Sequence, residues 1–539
     1  MSFLNNILKG VKHIPFLGKK INRYATNKAC NTTKPRPRAF SLWSHIKKPS
    51  QSDVQGPVGE YTSWPMLTDR IYSARHLPPS SQNYITNLPK DLPYKPDNIG
   101  EITALFERKG NISEGRSSVL FMFFAQWFTD SILRIDPTDR RKNTSNHNID
   151  LCQIYGLTEN TARILRSRQG GKLRSQMING EEYLDYLGEL DGSGNWKVKD
   201  HYKLTNNNEG LPYTADAILA KIFTKWPNES DNDFKKRQQK LYATGLERGN
   251  SSVGYVAIST LFMREHNRIC NELSQNNNGW DDERLFQTAR MINIVILMKL
   301  VVQNYINHIA GYDLFDFDPT FAEKQDWYRT PWIALEFDLL YRWHGLVRDN
   351  IKVKETRYTH QEYRFNNALL EAVGLGTIID AASSQKAGEI SLQNVPKFLL
   401  GAEYQMIKMG RDFCLRPYND YRNLFGLKRL TSFSKLTDDN NLRAKLKRLY
   451  KKIDNVEYVI GLFAQKHSKN RLFGDLLNKM VAYDAFTQIY TNPLLSKNIY
   501  NIDTFTKYGL KLIKDTNSVQ NLINRNIKNG SNVKASFSS

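Results

Sequence analysis

Hydrophobic positions recur at helical spacing in three stretches of the chain. Residues 1–24 (MSFLNNILKGVKHIPFLGKKINRY) set Phe3, Leu4, Ile7, Leu8 and Val11 on one face, with Lys9, Lys12, Lys19 and Lys20 on or beyond the other. That pattern predicts either a basic amphipathic helix lying in a membrane interface or an N-terminal helix packed on the domain. Residues 116–135 (RSSVLFMFFAQWFTDSILRI) are apolar almost throughout and carry Gln126 and Asp130 four apart, stacked on one helical face. Residues 331–349 (PWIALEFDLLYRWHGLVRD) predict a further apolar helix, on which Tyr341 and His344, three apart, share a face. Between these stretches periodicity fades. Residues 25–60 are rich in Thr, Pro, Ser, Lys and Arg and predict a linker; Pro89, Pro93 and Pro96 mark loops; 191–209 reads as a surface excursion. The Asn-, Lys- and Ser-rich residues 526–539 predict a disordered tail.

Composition narrows the function classes. A net charge of +22 favours polyanionic partners, but the cations are spread along the chain and no nucleic-acid module organises them. An anionic membrane surface, or plain solubility, accounts for the charge better than specific nucleic-acid binding. No run of eighteen apolar residues predicts a membrane span, and the first apolar run is too short for a signal-peptide core, which leaves a cytoplasmic or peripheral membrane location. The four cysteines, Cys30, Cys152, Cys270 and Cys414, lie far apart in no zinc pattern and read as buried thiols. There is no dinucleotide fingerprint or phosphate loop.

Candidate chemistry centres on 331–349. A haem iron needs one fixed imidazole, and a tyrosine a turn away from it lies close enough to exchange an electron. A Tyr-x-x-His pair on an apolar helix is by itself ordinarily a packed core pair. The wording around it, EFDLLYRWHGLVRD, resembles the proximal helix of prostaglandin endoperoxide synthases (cyclooxygenases), and linoleate diol synthases share the YRWH form. The resemblance extends over about residues 61–500 through YTSWPMLTDRIYSARHLPP (61–79), the distal-helix stretch, IYG (154–156), REHNR (264–268), RDF…YNDYRNLFGL (411–427) and KKIDNVEYVIGLFAQK (451–466). The chain is thereby identified as a member of the animal haem peroxidase–cyclooxygenase superfamily.

That resemblance implies a mainly α domain around a buried haem b at residues 61–525, preceded by a basic segment and linker at 1–60 and followed by the 526–539 tail. It implies His344 as the proximal iron ligand, Tyr341 as the tyrosine that becomes a radical, and Gln126 as the distal glutamine. The distal histidine expected four residues on is replaced by Asp130. Arg248 falls near the place of a distal arginine, with a surface charge as the equal alternative. Tyr305 and Tyr312, with Ile306, Ile309 and Ala310 between them, match the wall of a fatty-acid channel. Lys47 and Lys48 are the nearest candidates for its carboxylate partner, and Thr487 is the nearest analogue of the serine acetylated in cyclooxygenases. His266 reads as a helix-packing residue, and no calcium loop is present. The epidermal-growth-factor-like module of cyclooxygenases has no counterpart.

The activity implied is oxygenation of an unsaturated fatty acid by dioxygen through a tyrosyl radical. The alternatives are a haem peroxidase using peroxide and small reductants through Asp130, Gln126 and Arg248, or a non-catalytic haem- or lipid-binding protein. Oligomeric state is left open.

Overall fold

The computed structural model describes residues 15–33, 40–41, 71–78, 99–467 and 471–539. Lys47, Lys48 and most of the linker lie outside them. The described chain is mainly helical, with short antiparallel strand pairs. Helix α1 (Pro15–Cys30) is the first element. Strand β1 (Glu114–Ser118) leads into helix α2 (Val119–Thr129), whose N-terminus is capped by the Ser118 hydroxyl accepting from the Phe121 amide. Helices α3 (Val253–Asn276) and α4 (Asp282–Leu300) pack on each other, and α3 also packs on α2. Helix α5 (Leu335–Leu340) precedes His344, strand β2 (Lys386–Gly388) pairs with β1, and helices α6 (Leu400–Asp412) and α7 (Asp475–Tyr490) close the far side.

Helix α3 forms because Ser252 caps it and its apolar residues bury almost continuously from Val253 to Met263. Its REHNR turn is a buried polar seam. Arg264 reaches Glu181 at 2.9 Å, while burial works to raise the Glu265 carboxyl and ion pairs with Arg268 and Arg525 hold it below its ordinary value. His266 bonds the Tyr155 hydroxyl through Nδ1 at 2.8 Å and faces the Gly171 carbonyl through Nε2 at 2.9 Å; burial lowers its pKa to about 4. It is the neutral packing residue the resemblance implies.

Helix α4 runs on through a π-helical stretch, Val301–Ile306, into Asn307–Ala310, and ends at Gly311 with φ 79°. The wider turn re-aims Tyr305 relative to a regular helix. The continuous segment Asp282–Ala310 is long and apolar enough to cross a membrane, but 83% of its apolar window is buried inside the protein, so it is a core helix.

Two expectations are corrected, those for residues 331–349 and for the C-terminal tail. The stretch 331–349 is not one helix: α5 stops at Leu340, Tyr341 caps it, Trp343 leaves helical geometry at φ −84°, ψ 45°, and His344–Leu346 form a single 3-10 turn. The break is set from outside, because a Cβ on Gly345 would meet the Glu389 carbonyl at 2.3 Å, so the chain must turn to run beneath β2. From Pro15 on, the N-terminal segment forms α1, which packs on α7, buries Asn22, Thr26 and Cys30, and holds Asp318 through Arg23 at 2.5 Å, while Phe3, Leu4, Ile7, Leu8 and Val11 lie outside the described residues. The predicted disordered tail is also packed. The Ser118 amide donates to the Phe537 carbonyl at 2.8 Å, Ser538 bridges to Ser117, and the Phe537 ring is buried among Phe121, Phe124 and Tyr305.

Phe537→Ala is therefore expected to destabilise the fold by about 3–5 kcal/mol, the cost of emptying a buried aromatic site. Urea unfolding followed by circular dichroism checks this; a change under about 0.5 kcal/mol, typical of an exposed site, would return residues 533–539 to the status of a loose tail.

Candidate functional site

The five residues singled out at the haem positions converge on one cleft of about 280 Å³. Helix α2 supplies one wall with Met122, Ala125 and Gln126, and Asp130 follows immediately after its end. Arg248 and Ser252, just ahead of α3, extend that wall. Tyr341, Trp343, His344 and Leu346 form the opposite one, and Phe398 and Leu399, ahead of α6, close the rim. The break between α5 and the His344 turn does not separate Tyr341 from His344, since both face this space.

His344 is anchored from behind. Its Nδ1 lies 2.7 Å from Oε1 of Glu403, which projects from the first turn of α6 and is fully buried. With Nδ1 committed, Nε2 is the atom left for a ligand, and among the residues lining the cleft His344 is the one imidazole. An imidazole held through one nitrogen by a carboxylate and open through the other is what a haem-ligating histidine requires. The residues present fit haem: His344 would hold the iron, and the apolar side chains Met122, Ala125, Leu346 and Leu399 would surround the group.

Opposite His344, Asp130 is buried. Its Oδ1 lies 3.4 Å from the Arg248 guanidinium, its Oδ2 has no hydrogen-bond partner, and the Tyr255 phenol lies alongside. Burial raises the Asp130 carboxyl above its ordinary range, against the opposing pull of Arg248 and Arg134. Gln126 is exposed to the cleft, and Arg248, with 51% of its side chain exposed, is a rim residue.

Tyr341 is partly buried, with its hydroxyl enclosed. Its ring stacks on Trp343 at 4.4 Å and meets Phe337 edge-on at 5.0 Å. Its hydroxyl faces that of Tyr305, and neither makes a hydrogen bond of ordinary geometry. Burial raises the pKa of both phenols. Tyr305 in turn stacks on Phe121 at 5.1 Å, and Phe121 reaches His308 at 4.6 Å.

His308 belongs to a second, larger cavity of about 610 Å³, which Tyr312, Asn304, Asn307 and Arg116 also line. The channel residues are thus divided. Tyr305 lies against Tyr341, Tyr312 stands at the outer cavity, and Ile306 and Ile309 are buried behind the partition, lining neither space. Thr487 is buried and donates to the Tyr483 carbonyl, away from both. Two groups escaped sequence reasoning. Glu403 is 59 residues from its partner His344, and Arg116 sits in a polar strand with no motif around it.

Comparison with known proteins matches the animal haem peroxidase family to residues 136–537. The chain belongs to the animal haem peroxidase family. It is 30% identical over 477 residues to prostaglandin G/H synthase 2 of Equus caballus, an alignment covering 87% of this chain and 72% of that one. Among solved structures, it is similar to the fatty acid α-dioxygenase of Oryza sativa with a TM-score of 0.66 at 16% identity, covering 87% of this chain and 83% of that one. Peroxidase A of Dictyostelium discoideum superposes with a TM-score of 0.63 at 16% identity, covering 94% of this chain and 96% of that one. The mainly α haem-peroxidase fold is therefore the fold of this protein.

Proposed function

We propose that the protein is a haem-dependent dioxygenase that adds oxygen to an unsaturated fatty acid through a radical on Tyr341. The observation that carries this reading is the setting of Tyr341, a phenol lining the His344 cleft with an enclosed, unbonded hydroxyl and a ring stacked on Trp343. Haem b, bound at His344, would supply the oxidising equivalent that takes an electron from Tyr341. The rest falls to the chain. Burial keeps the phenol protonated, so losing an electron also releases the phenolic proton and leaves a neutral radical. That radical takes a hydrogen atom from an acyl methylene, which restores the phenol, and dioxygen adds to the carbon radical so formed. Trp343, Phe337 and Tyr305 hold the ring in place and keep water from it. Similarity to a fatty acid α-dioxygenase and to a prostaglandin synthase supports the choice of an acyl substrate.

The outer cavity offers a place for the acid group. Arg116 donates to the His308 carbonyl, its Nε is buried without a partner, and it has no acidic partner among the described residues. Burial alone lowers its pKa, with no counter-charge opposing it. We assign Arg116 to the substrate carboxylate, with Tyr312 beside it and the acyl chain crossing the Phe121–Tyr305 partition toward Tyr341. Removing a hydrogen bond to a charged group costs about 1.5–3 kcal/mol, so Arg116→Leu is expected to raise KM about 10-fold or more with kcat little changed. Steady-state oxygen uptake over a range of fatty-acid concentrations reads this; an unchanged KM would remove Arg116 from the assignment.

A second reading, peroxidase activity on small reductants, draws on one observation: Asp130 keeps a buried oxygen without a partner in the cleft, available to accept and return a proton. The test is a pair of assays on the haem-loaded protein. Oxygen consumption with an unsaturated fatty acid supports the dioxygenase. Peroxide-dependent oxidation of a phenol without such oxygen uptake would replace it with the peroxidase, and inertness in both would leave a binding protein.

A further inference from the structure

The outer cavity and the His344 cleft share no lining residue, so an acyl chain held at Arg116 meets a wall before it meets Tyr341. The wall is aromatic. Phe121 and Tyr305 are borne by α2 and by the π-helical continuation of α4, and the buried ring of Phe537 fills the space beside them, 5.8 Å from Phe121 and 6.2 Å from Tyr305. The first two rings stand on packed helical backbone. Phe537 is held differently. The amides of Lys534, Ala535 and Ser536 donate to Asp380 at 2.9 Å, Gln520 at 3.0 Å and Ser383 at 3.2 Å, which pins the segment up to residue 536. Beyond that point its ties are the Ser118 amide donating to the Phe537 carbonyl, an isolated bridge between Ser117 and Ser538, a long bond from the Ser539 amide to the Arg116 carbonyl, and the Ser538 hydroxyl at 3.2 Å from His308 Nδ1. A segment tied by so few bonds opens at lower free energy than the helices around it.

We propose that residues 537–539 are a gate on the acyl path: Phe537 swings out from beside Phe121 and Tyr305, and the acyl chain takes its place on the way from Arg116 to Tyr341. The proposal rests on the dioxygenase reading above and supplies the passage that reading needs. Geometry selects this ring over the other two. Displacing Phe121 would disrupt the first turn of α2, where its own amide donates to the capping Ser118 hydroxyl, and displacing Tyr305 would withdraw it from Tyr341. Pivoting Phe537 about Ser536 breaks only the few ties to β1 and His308. The exchange is like for like. An aromatic ring leaves the apolar space and acyl methylenes enter it, so burial of the chain offsets the burial that the ring gives up. A chain that binds the open form better than the closed one shifts the segment toward opening by that difference in affinity. His308 links the gate to the acid site, because its ring holds Ser538 and Ser117 while its carbonyl accepts from Arg116. A carboxylate that engages Arg116 competes with this carbonyl, at the residue that holds the gate shut.

Two measurements test the gate. Ser117→Cys combined with Ser538→Cys places thiols across the bridge, so that oxidation ties the segment down as a disulfide. With haem loaded and linoleic acid as substrate, the oxidised protein is expected to take up oxygen about 10-fold more slowly, or less, than the same protein after reduction by a thiol, because the open form is no longer populated. Equal rates before and after reduction would overturn the proposal. The second measurement needs neither a substitution nor turnover. In wild type held without oxygen, saturating linoleic acid is expected to speed hydrogen exchange at the Ser118 amide about 10-fold or more, while amides in the middle of α3 keep their rates. Unchanged exchange at Ser118 would overturn the gate whether or not the cysteine variant folds. The dioxygenase reading is judged separately. Wild type that takes up no oxygen yet shows the faster Ser118 exchange keeps the gate and loses the dioxygenase; oxygen uptake without that change keeps the dioxygenase and loses the gate.

Discussion

His344→Ala is expected to abolish haem binding, removing the Soret band at haem concentrations that saturate wild type. Among the residues lining the cleft, His344 is the one imidazole, and no cysteine or methionine stands in position to replace it except Met122 on the α2 wall opposite. Loss of a group that only supports a metal ligand costs about 10–100-fold in affinity, so loss of the ligand itself is expected to cost more than about 100-fold. The substitution also strands Glu403. Leaving a buried hydrogen-bonding group without its partner costs about 1–3 kcal/mol, so His344→Ala is expected to lower thermal stability even without haem. Exogenous imidazole offers a control, because a small ring entering the vacated space restores the donor without the chain. An absorption titration reads all of this. A His344→Ala protein that kept the wild-type Soret band and affinity would mean that haem, if it binds, binds elsewhere.

How much of this site was legible in the sequence depends on the range over which each interaction is encoded. Local patterns served well. The α2 face carrying Gln126 and Asp130 is set by side chains four residues apart, and it turns toward the cleft as periodicity predicts. Tyr341 and His344 do share a space, but for a different reason than the one periodicity supplies. The helix they were assigned to breaks between them, because Gly345 must pass within reach of the Glu389 carbonyl, a contact that nothing in residues 331–349 records.

Partners distant in sequence were the ones missed. Glu403 meets His344 only after the chain has passed through three strands and several helices, and GAEY has no signature of its own. Residues 526–539 looked disordered because their composition is polar. One aromatic, Phe537, and a few backbone bonds to Arg116–Ser118 are enough to hold them. Composition averages over a window; a single anchor does not. Arg116 was passed over for the same reason. A lone arginine at the head of an apolar stretch carries no signal until the fold brings His308 and Tyr312 beside it.

Tyr341→Phe is expected to abolish fatty-acid oxygenation, reducing oxygen uptake to the background rate, while haem binding at His344 persists. The substitution deletes one O–H and nothing else. The Tyr341 hydroxyl faces only that of Tyr305, and the stacking on Trp343 and Phe337 is retained. A typical intramolecular hydrogen bond contributes about 0.5–1.5 kcal/mol net, so Tyr341→Phe is expected to stay folded, which a thermal melt checks. A fall in activity accordingly cannot be assigned to unfolding. The neighbouring phenol provides the contrast. Tyr305 stacks on Phe121 and Trp343 and faces Tyr341, but it does not line the His344 cleft, so Tyr305→Phe is expected to retain oxygenation at a reduced rate. Electron paramagnetic resonance after addition of peroxide separates the two positions directly, with a tyrosyl signal expected in wild type and in Tyr305→Phe and missing from Tyr341→Phe. Oxygen uptake by Tyr341→Phe at the wild-type rate would rule out Tyr341 as the hydrogen-abstracting group; if peroxide-driven oxidation of a phenol also persisted in that variant, the chemistry would be that of a peroxidase acting through Asp130.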